Sequence, residues 1–408
     1  MSTRRNNFLR TEVLMSAGEF AALEEEWEDL YHDSPRATPF QSWAWLYSWW
    51  EFYGEDYELR LITVRDDEGL LIGVAPLMLK HRLGFSRLLF VGTGPTDYLD
   101  VLIRERWEDQ VSEVLARTLR QMDSWQVADL QQLRPDAAAW GLFEHWSGLR
   151  ISVWQSNCPV IDAKPWDELL ASIKKSLRSS ARQTLRRATE DGLRRELAGV
   201  EDAKEAARRL VAVSRQQWQS RWQETGPEHW TQRFEDHLEV AGRRMTACGL
   251  GAISEFWRDG EVVISHFLVF GRDFVGQYMI GASQEALRRY QFSSLGMWDG
   301  ITVSLARQGR YFDLLRGEEP YKLRWCSRVV PNRRMVLGRN LLLWCPYAAY
   351  HALRSRAKRY AYSENAPAWV KDIRDRYQTL RYAVARYANS ESAIRWTKRI
   401  TARCFKGK

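Results

Sequence analysis

The strongest constraint on this chain is an order of elements that occurs twice. Helix-spaced stretches come first, GEFAALEEEWEDLYH (18–32) and WAWLYSWWEFYG after Pro39. The β-rich runs LRLITVRD, LLIGVAPLMLK, SRLLFVG and YLDVLI follow, divided by turn residues, and read as an antiparallel meander. Helical WEDQVSEVLARTLRQM, strand-like VADLQQL, a short helix near Trp140 and the strand ISVWQS close the first half. The second half repeats that order. A basic helix over 166–191 and helices over 202–221 and 228–245 precede the strands LGAISEFWRDG, EVVISHFLVFG and FVGQYMIGA, then a helix over Ser294–Gln308 and the strand YFDLLRG. Two related mixed α/β domains are expected, over 1–160 and 161–338, with an amphipathic basic helical tail over 339–408.

The 408 residues suit two or three domains, and 45% apolar with 27% charged residues excludes a disordered or collagen-like chain. The net charge of +8 is unevenly spread, −10 over 1–160, +6 over 161–338 and +12 over 339–408. A basic end favours a phosphate-rich partner such as an anionic membrane surface or nucleic acid, and a merely solvated tail is the other reading. Five scattered cysteines without a CxxC pair suggest neither disulfides nor zinc, and a reducing cytoplasm fits. The N-terminus lacks an apolar signal core and no run of eighteen apolar residues occurs, so a cytoplasmic protein is expected. There is no GxxxxGK[ST], GxSxG, HExxH or GxGxxG, and no two His are spaced as a metal pair, so no metal is expected.

Three stretches carry chemistry. Arg288, Arg289, Ser293 and Ser294 lead into the helix that contains Gly296, where backbone N–H groups and the helix dipole suit a pyrophosphate; the serines as simple caps are the alternative. FDLLRGEEPYKLRW (312–325) gathers Asp313, Arg316, Glu318, Glu319, Tyr321, Lys322 and Arg324 after a strand, either a functional site or a structural ion-pair knot. The basic helix places Arg178, Arg182 and Arg186 four residues apart, a stripe that suits a phosphate-bearing substrate or faces solvent. Trp43, Trp45, Trp49 and Trp50 are either core or sugar-stacking rings.

FDLLRGEEPYKLRW, PFQSWAWLYSWW, IGVAPLMLK, GPTDYLDVLI and SLRSSARQTLRRATEDG together resemble the CelD-type branch of the GNAT N-acetyltransferases, found among bacterial polysaccharide-biosynthesis proteins and related to FemAB-like enzymes with tandem GNAT domains. The resemblance implies tandem GNAT-like domains and an acyl-CoA, such as acetyl-CoA, bound beside FVGQYMIGA with its pyrophosphate at the Arg288–Ser294 loop. In place of the usual Gly-x-Gly phosphate loop stands RRYQFSSLG. It implies Tyr321 as the acid for the departing thiolate; His266 is the best base by intrinsic pKa, and Glu319 is the next candidate. A buried structural role is the other reading of His266, and turn capping that of Asp97.

Asp97, Tyr98 and Asp100, with Arg178, Arg182, Asp313, Arg316 and Lys322, are the expected contacts to a small-molecule or sugar-linked amine of a cell-envelope precursor. Peripheral contact with the inner face of an anionic membrane is expected of the tail, and no DNA. Two other functions stay open, a noncatalytic binding subunit of an envelope-synthesis complex and an aminoacyl-tRNA-dependent FemAB-like transferase.

Overall fold

The computed structural model describes residues 9–82, 84–218, 231–362, 366, 367, 369 and 370. The first half runs β1 (Arg10–Leu14), α1 (Ala17–Ala22), α2 (Glu24–Asp33), α3 (Trp43–Tyr53), β2 (Glu58–Leu59), β3 (Leu61–Arg65), β4 (Leu71–Ala75), β5 (Leu77–Arg82), β6 (Phe85–Phe90), β7 (Leu102–Ile103), α4 (Glu108–Gln121), β8 (Val127–Leu133), α5 (Trp140–His145) and β9 (Leu149–Asp162). The second runs α6 (Trp166–Ser172), α7 (Lys175–Glu190), β10 (Arg194–Leu197), α8 (Ala203–Trp218), α9 (Gln232–Ala247), β11 (Gly251–Arg258), β12 (Glu261–Phe270), β13 (Phe274–Ala282), α10 (Gln284–Arg289), α11 (Phe292–Ala306), β14 (Tyr311–Asp313), α12 (Pro320–Trp325) and β15 (Arg328–Gly338). α13 (Leu341–Ala361) follows.

In each half the meander ends in a strand that pairs in parallel with the strand beyond the next helix, β6 with β8 across α4 and β13 with β14 across α11. A parallel pair cannot be closed by a tight turn, so the helix carries the chain back. The last strands are exchanged between the halves. β9 pairs with β14, β15 pairs with β8, and the two pair antiparallel with each other from Leu149↔Gly338 to Val160↔Arg328. Among the described residues this makes one 11-stranded sheet, β10-β11-β12-β13-β14-β9-β15-β8-β6-β5-β2, whose strand types repeat symmetrically outward from the β9–β15 pair. The fold is therefore mixed α/β, with two halves of like strand order and the helix α13 beyond them; the rest of the expected helical tail, 371–408, lies outside the described residues.

The first half departs from the symmetry at Pro76. Proline cannot donate to the ladder, and the chain bends there between β4 and β5. Arg60 N donates to Leu77 O (2.9 Å) and Val91 N to Pro76 O (2.8 Å), holding the bend. One side of it forms a separate sheet β1-β3-β4-β7.

All four tryptophans of the α3 segment are buried, and the Trp45 Nε1 donates to Thr96 Oγ1 at 3.0 Å. The segment is core rather than a stacking platform. The basic helix expected over 166–191 is two, α6 and α7, with Ile173 and Lys174 extended between them.

His237 on α9 is fully buried, ringed by Trp45, Phe52, Tyr53 and Phe234, and neither ring nitrogen has a hydrogen-bond partner among the described residues. Burial pushes its pKa down to about 3 from 6.5. The unfolded chain therefore binds the extra proton in that interval, so this contribution to stability is complete above 6.5 and is lost as the pH falls toward 3. His237→Leu is expected to remove acid sensitivity on the order of a few kcal/mol. Denaturant melts of both proteins at about pH 7.5 and about pH 5 check this; equal losses on acidification would count against it.

Candidate functional site

β13 is flanked by β14 only from Phe274 to Gly276 and then continues alone on that side to Ala282. Its register against β12 slips between Phe267 and Leu268, which leaves Tyr278 as the extra residue of a bulge. Past Gly276 no strand among the described residues pairs with this edge of β13, and α11 and α12 lie near it. Across this opening Gln277 Nε2 donates to the Tyr321 hydroxyl at 3.1 Å, and the Phe292 ring, the first residue of α11, lies 6.2 Å from the Tyr321 ring. Gln277, which the sequence did not single out, thus positions the tyrosine. The Tyr278 hydroxyl donates instead to Pro95 O at 3.2 Å, joining this strand to the first half.

His266 on β12 is fully buried, with Nδ1 3.1 Å from Asp299 Oδ2 and Nε2 buried without a hydrogen-bond partner among the described residues. A carboxylate only accepts, so Nδ1 carries the proton of that bond. Arg195 Nε donates to Asp299 Oδ1 at 2.8 Å. Burial works to raise the Asp299 pKa, but the hydrogen bond and charge of His266 and the charge of Arg195 outweigh it and hold the carboxyl below its usual range. Arg195 and Asp299 escaped the sequence reading. The available signal was a lone carboxylate in the otherwise uncharged helix FSSLGMWDGITVSLA.

α11 begins at Phe292, earlier than the sequence suggested, because Gln291 takes the cap position and its N–H donates to Thr184 Oγ1 of α7 at 3.3 Å. Ser293 and Ser294 therefore sit buried inside the first turn, and Ser294 Oγ donates to Gln291 Oε1 at 2.8 Å. Arg288 and Arg289 end α10, a short helix capped by Ser283, and both are exposed. Arg289 is held bidentate by Asp191, whose Oδ2 also accepts from the Tyr290 hydroxyl at 2.6 Å. The Arg289 hydrogen bonds, then that of Tyr290, keep the Asp191 carboxyl well below the usual range. Gly296 has a packing role: a Cβ there would lie 2.5 Å from Ile280 Cδ1, so glycine lets α11 approach β13.

α7 lies against α11, and Arg187 Nη1 donates to Arg289 O at 3.1 Å. Arg182 stands 3.8 Å from Asp167, both exposed, and neither Arg178 nor Arg186 forms an ion pair among the described residues. At the α6–α7 junction Lys164, Lys174 and Arg324 line a pocket of about 280 Å³ with Asp162, Ser172 and Trp325.

The structure gathers Asp97, Tyr98, Asp313, Arg316, Glu319 and Lys322 where the halves meet. The Tyr98 hydroxyl donates to Asp313 Oδ2 at 2.7 Å, and Arg316 Nη2 donates to Gly94 O at 2.7 Å. Arg316 Nε lies 2.8 Å from Asp97 Oδ1, but that oxygen has no well-aligned hydrogen bond, so the contact is an ion pair. Lys322 Nζ donates to Arg316 O at 3.0 Å and lies 3.1 Å from Glu319 Oε2. Burial works to lower the Lys322 pKa, yet Glu319 and the other anionic groups around it outweigh burial and hold the ammonium above its usual range. Burial pushes Asp313 up to about 6 and also raises Asp97. Tyr98 and Leu315 adopt left-handed φ of 48° and 54°, a strain of about 1–3 kcal/mol each that the surrounding network sustains. Asp100 stands apart from this cluster. It accepts the N–H groups of Val101, Ala138 and Ala139 and is pushed up to about 7 by burial. Among the described residues no group of three His, Cys, Asp or Glu is placed to hold a metal.

Residues 175–323, from α7 to α12, match the family model described as an acetyltransferase (GNAT) domain. That segment contains the β13 opening, His266, Asp299 and Tyr321. The crystal structure of FemX shares the fold, with a TM-score of 0.56 at 12% identity, covering 83% of this chain and 99% of that one. A conserved protein of unknown function from Bacteroides thetaiotaomicron does so with a TM-score of 0.53 at 12% identity, covering 80% and 100%. No curated protein matches the chain.

Proposed function

We propose that the chain is an N-acyltransferase of the CelD-type polysaccharide-biosynthesis branch, moving an acetyl or other acyl group from acyl-CoA to an amine of an amino sugar or cell-envelope precursor in the cytoplasm. The observation that carries this reading is the Tyr321 hydroxyl held by Gln277 where β13 parts from β14, inside the GNAT-matching segment. The thioester lies along the open edge of β13, whose N–H groups polarise its carbonyl. The first turn of α11, with Arg288 and Arg187 nearby, takes the pyrophosphate. The amine nitrogen attacks the carbonyl carbon, the C–N bond forms and the C–S bond breaks. Tyr321 gives its proton to the thiolate and the amine proton passes to a base. Of the two bases considered, His266 is oriented by a carboxylate and has an unpartnered nitrogen, whereas Glu319 is tied to Lys322. The Arg178–Arg182 stripe and the pocket beside it suit a phosphate of the acceptor.

Two observations support other readings. The exposed arginines of α7 beside the α11 start also suit the phosphate chain of an aminoacyl-tRNA donor. The Asp191–Arg289 pair occupies one cation of the phosphate loop, as a noncatalytic relative of the family would tolerate.

Thermal melts with acetyl-CoA, longer acyl-CoAs, free coenzyme A and aminoacyl-tRNA separate the three. A donor at about one hundred times its Kd adds about 2.7 kcal/mol. The expected result is a higher Tm with an acyl-CoA, and Arg288→Glu weakening that binding more than tenfold, since a repulsive charge replaces an attractive one. A rise with aminoacyl-tRNA alone selects the second reading, and no rise with any donor the third.

A further inference from the structure

Three side-chain bonds fasten α13 to the sheet along one side. The Tyr347 hydroxyl donates to Asp129 Oδ2 at 2.6 Å, Arg334 Nη1 lies 2.8 Å from His351 Nδ1, and Ser355 Oγ donates to Trp154 O at 2.6 Å. These anchors recur at four-residue spacing, so the opposite side of the helix is held outward. That side presents Leu342 and Leu353, exposed by 81% and 65%, and at its border stands Tyr350, exposed by 57% with its ring against His351. Arg354, Arg356 and Arg359 stand beside them, and the helix contains no Asp or Glu.

We infer that this outer face of α13 is a docking surface for an anionic lipid bilayer, on which the helix lies flat. Large aliphatic side chains flanked by arginines match a surface whose interior is apolar and whose headgroups are negative. The charge complementarity continues in the chain that follows, where residues 371–408 carry 11 Lys and Arg against 3 Asp and Glu. The helix lies on the bilayer rather than crossing it, since no helix among the described residues is long and apolar enough to span one. A second copy of the chain is a poorer occupant, because Pro346 and Arg356 interrupt the stripe that a helix–helix seam needs. A nucleic acid would leave Leu342 and Leu353 without a contact suited to them.

The test is flotation of the full chain with vesicles of phosphatidylcholine, with and without phosphatidylglycerol. The protein should float with the anionic vesicles alone, and less as salt is raised. Leu342→Ser/Tyr350→Ser/Leu353→Ser, all exposed positions, should keep the wild-type melting curve and lose at least tenfold in partitioning. Arg354→Glu/Arg356→Glu/Arg359→Glu should lose as much. The inference is overturned if the wild type does not float or if the leucine and tyrosine changes leave flotation intact. It is equally overturned if those changes abolish a lipid-independent dimer seen by light scattering.

Discussion

Tyr321→Phe is expected to lower kcat for acyl transfer by about 100- to 10,000-fold, the range for losing a positioned proton donor. Only a hydroxyl is removed, and its hydrogen bond from Gln277 is worth about 1 kcal/mol, so the folded protein should persist. Gln277→Leu should show a smaller fall in kcat with the same sign, since it leaves the hydroxyl in place but releases it. Steady-state kinetics with acyl-CoA, alongside a melting curve for each variant, reads both quantities. Unchanged turnover in Tyr321→Phe would put the acid elsewhere in the opening.

The second large effect is on stability. Lys322 is the cation among Glu319, Asp97 and the Arg316 carbonyl, and it is almost wholly buried. Lys322→Met keeps the side-chain length but leaves the partly buried Glu319 without its ion-pair partner and the Arg316 carbonyl without its donor, which costs about 1–3 kcal/mol. A Tm lower by about 1–4 °C and an earlier urea midpoint are expected. The same change tests what the 312–325 cluster is for. A variant that melts like the wild type but has lost turnover would make Lys322 a substrate-binding residue; a large loss of stability identifies the cluster as the clamp between the halves.

The local part of this architecture was legible in the chain. Alternating apolar runs cut by Asp259-Gly260 and Gly271 specify the meander of β11, β12 and β13 without reference to anything distant, because strand period and turn chemistry are properties of neighbouring residues. The repeated order of elements, and with it two related halves, followed from the same signals. The packed ends of the elements were less legible. α10 lies where the sequence suggests only the Arg288–Ser294 loop, although Ser283 at a cap marks its start, and Pro320 at a first helical position marks the start of α12.

What only the tertiary structure decided is which distant groups meet. ISVWQS and the strand ending at Gly338 carry no mark of their partners, so the exchange of β9 and β15 between the halves could not be read from either. Arg289 is a cation in the sequence, and only folding brings Asp191 to it across 98 residues. Arg195, His266 and Asp299 come from a strand, a second strand and a helix, and their alignment depends on the side-chain direction and register of each. Residue pattern sets the conformation of each segment because the forces that set it act over a few residues. The site arises from contacts across tens to hundreds of residues, which form only when the sheet closes about the β9–β15 pair.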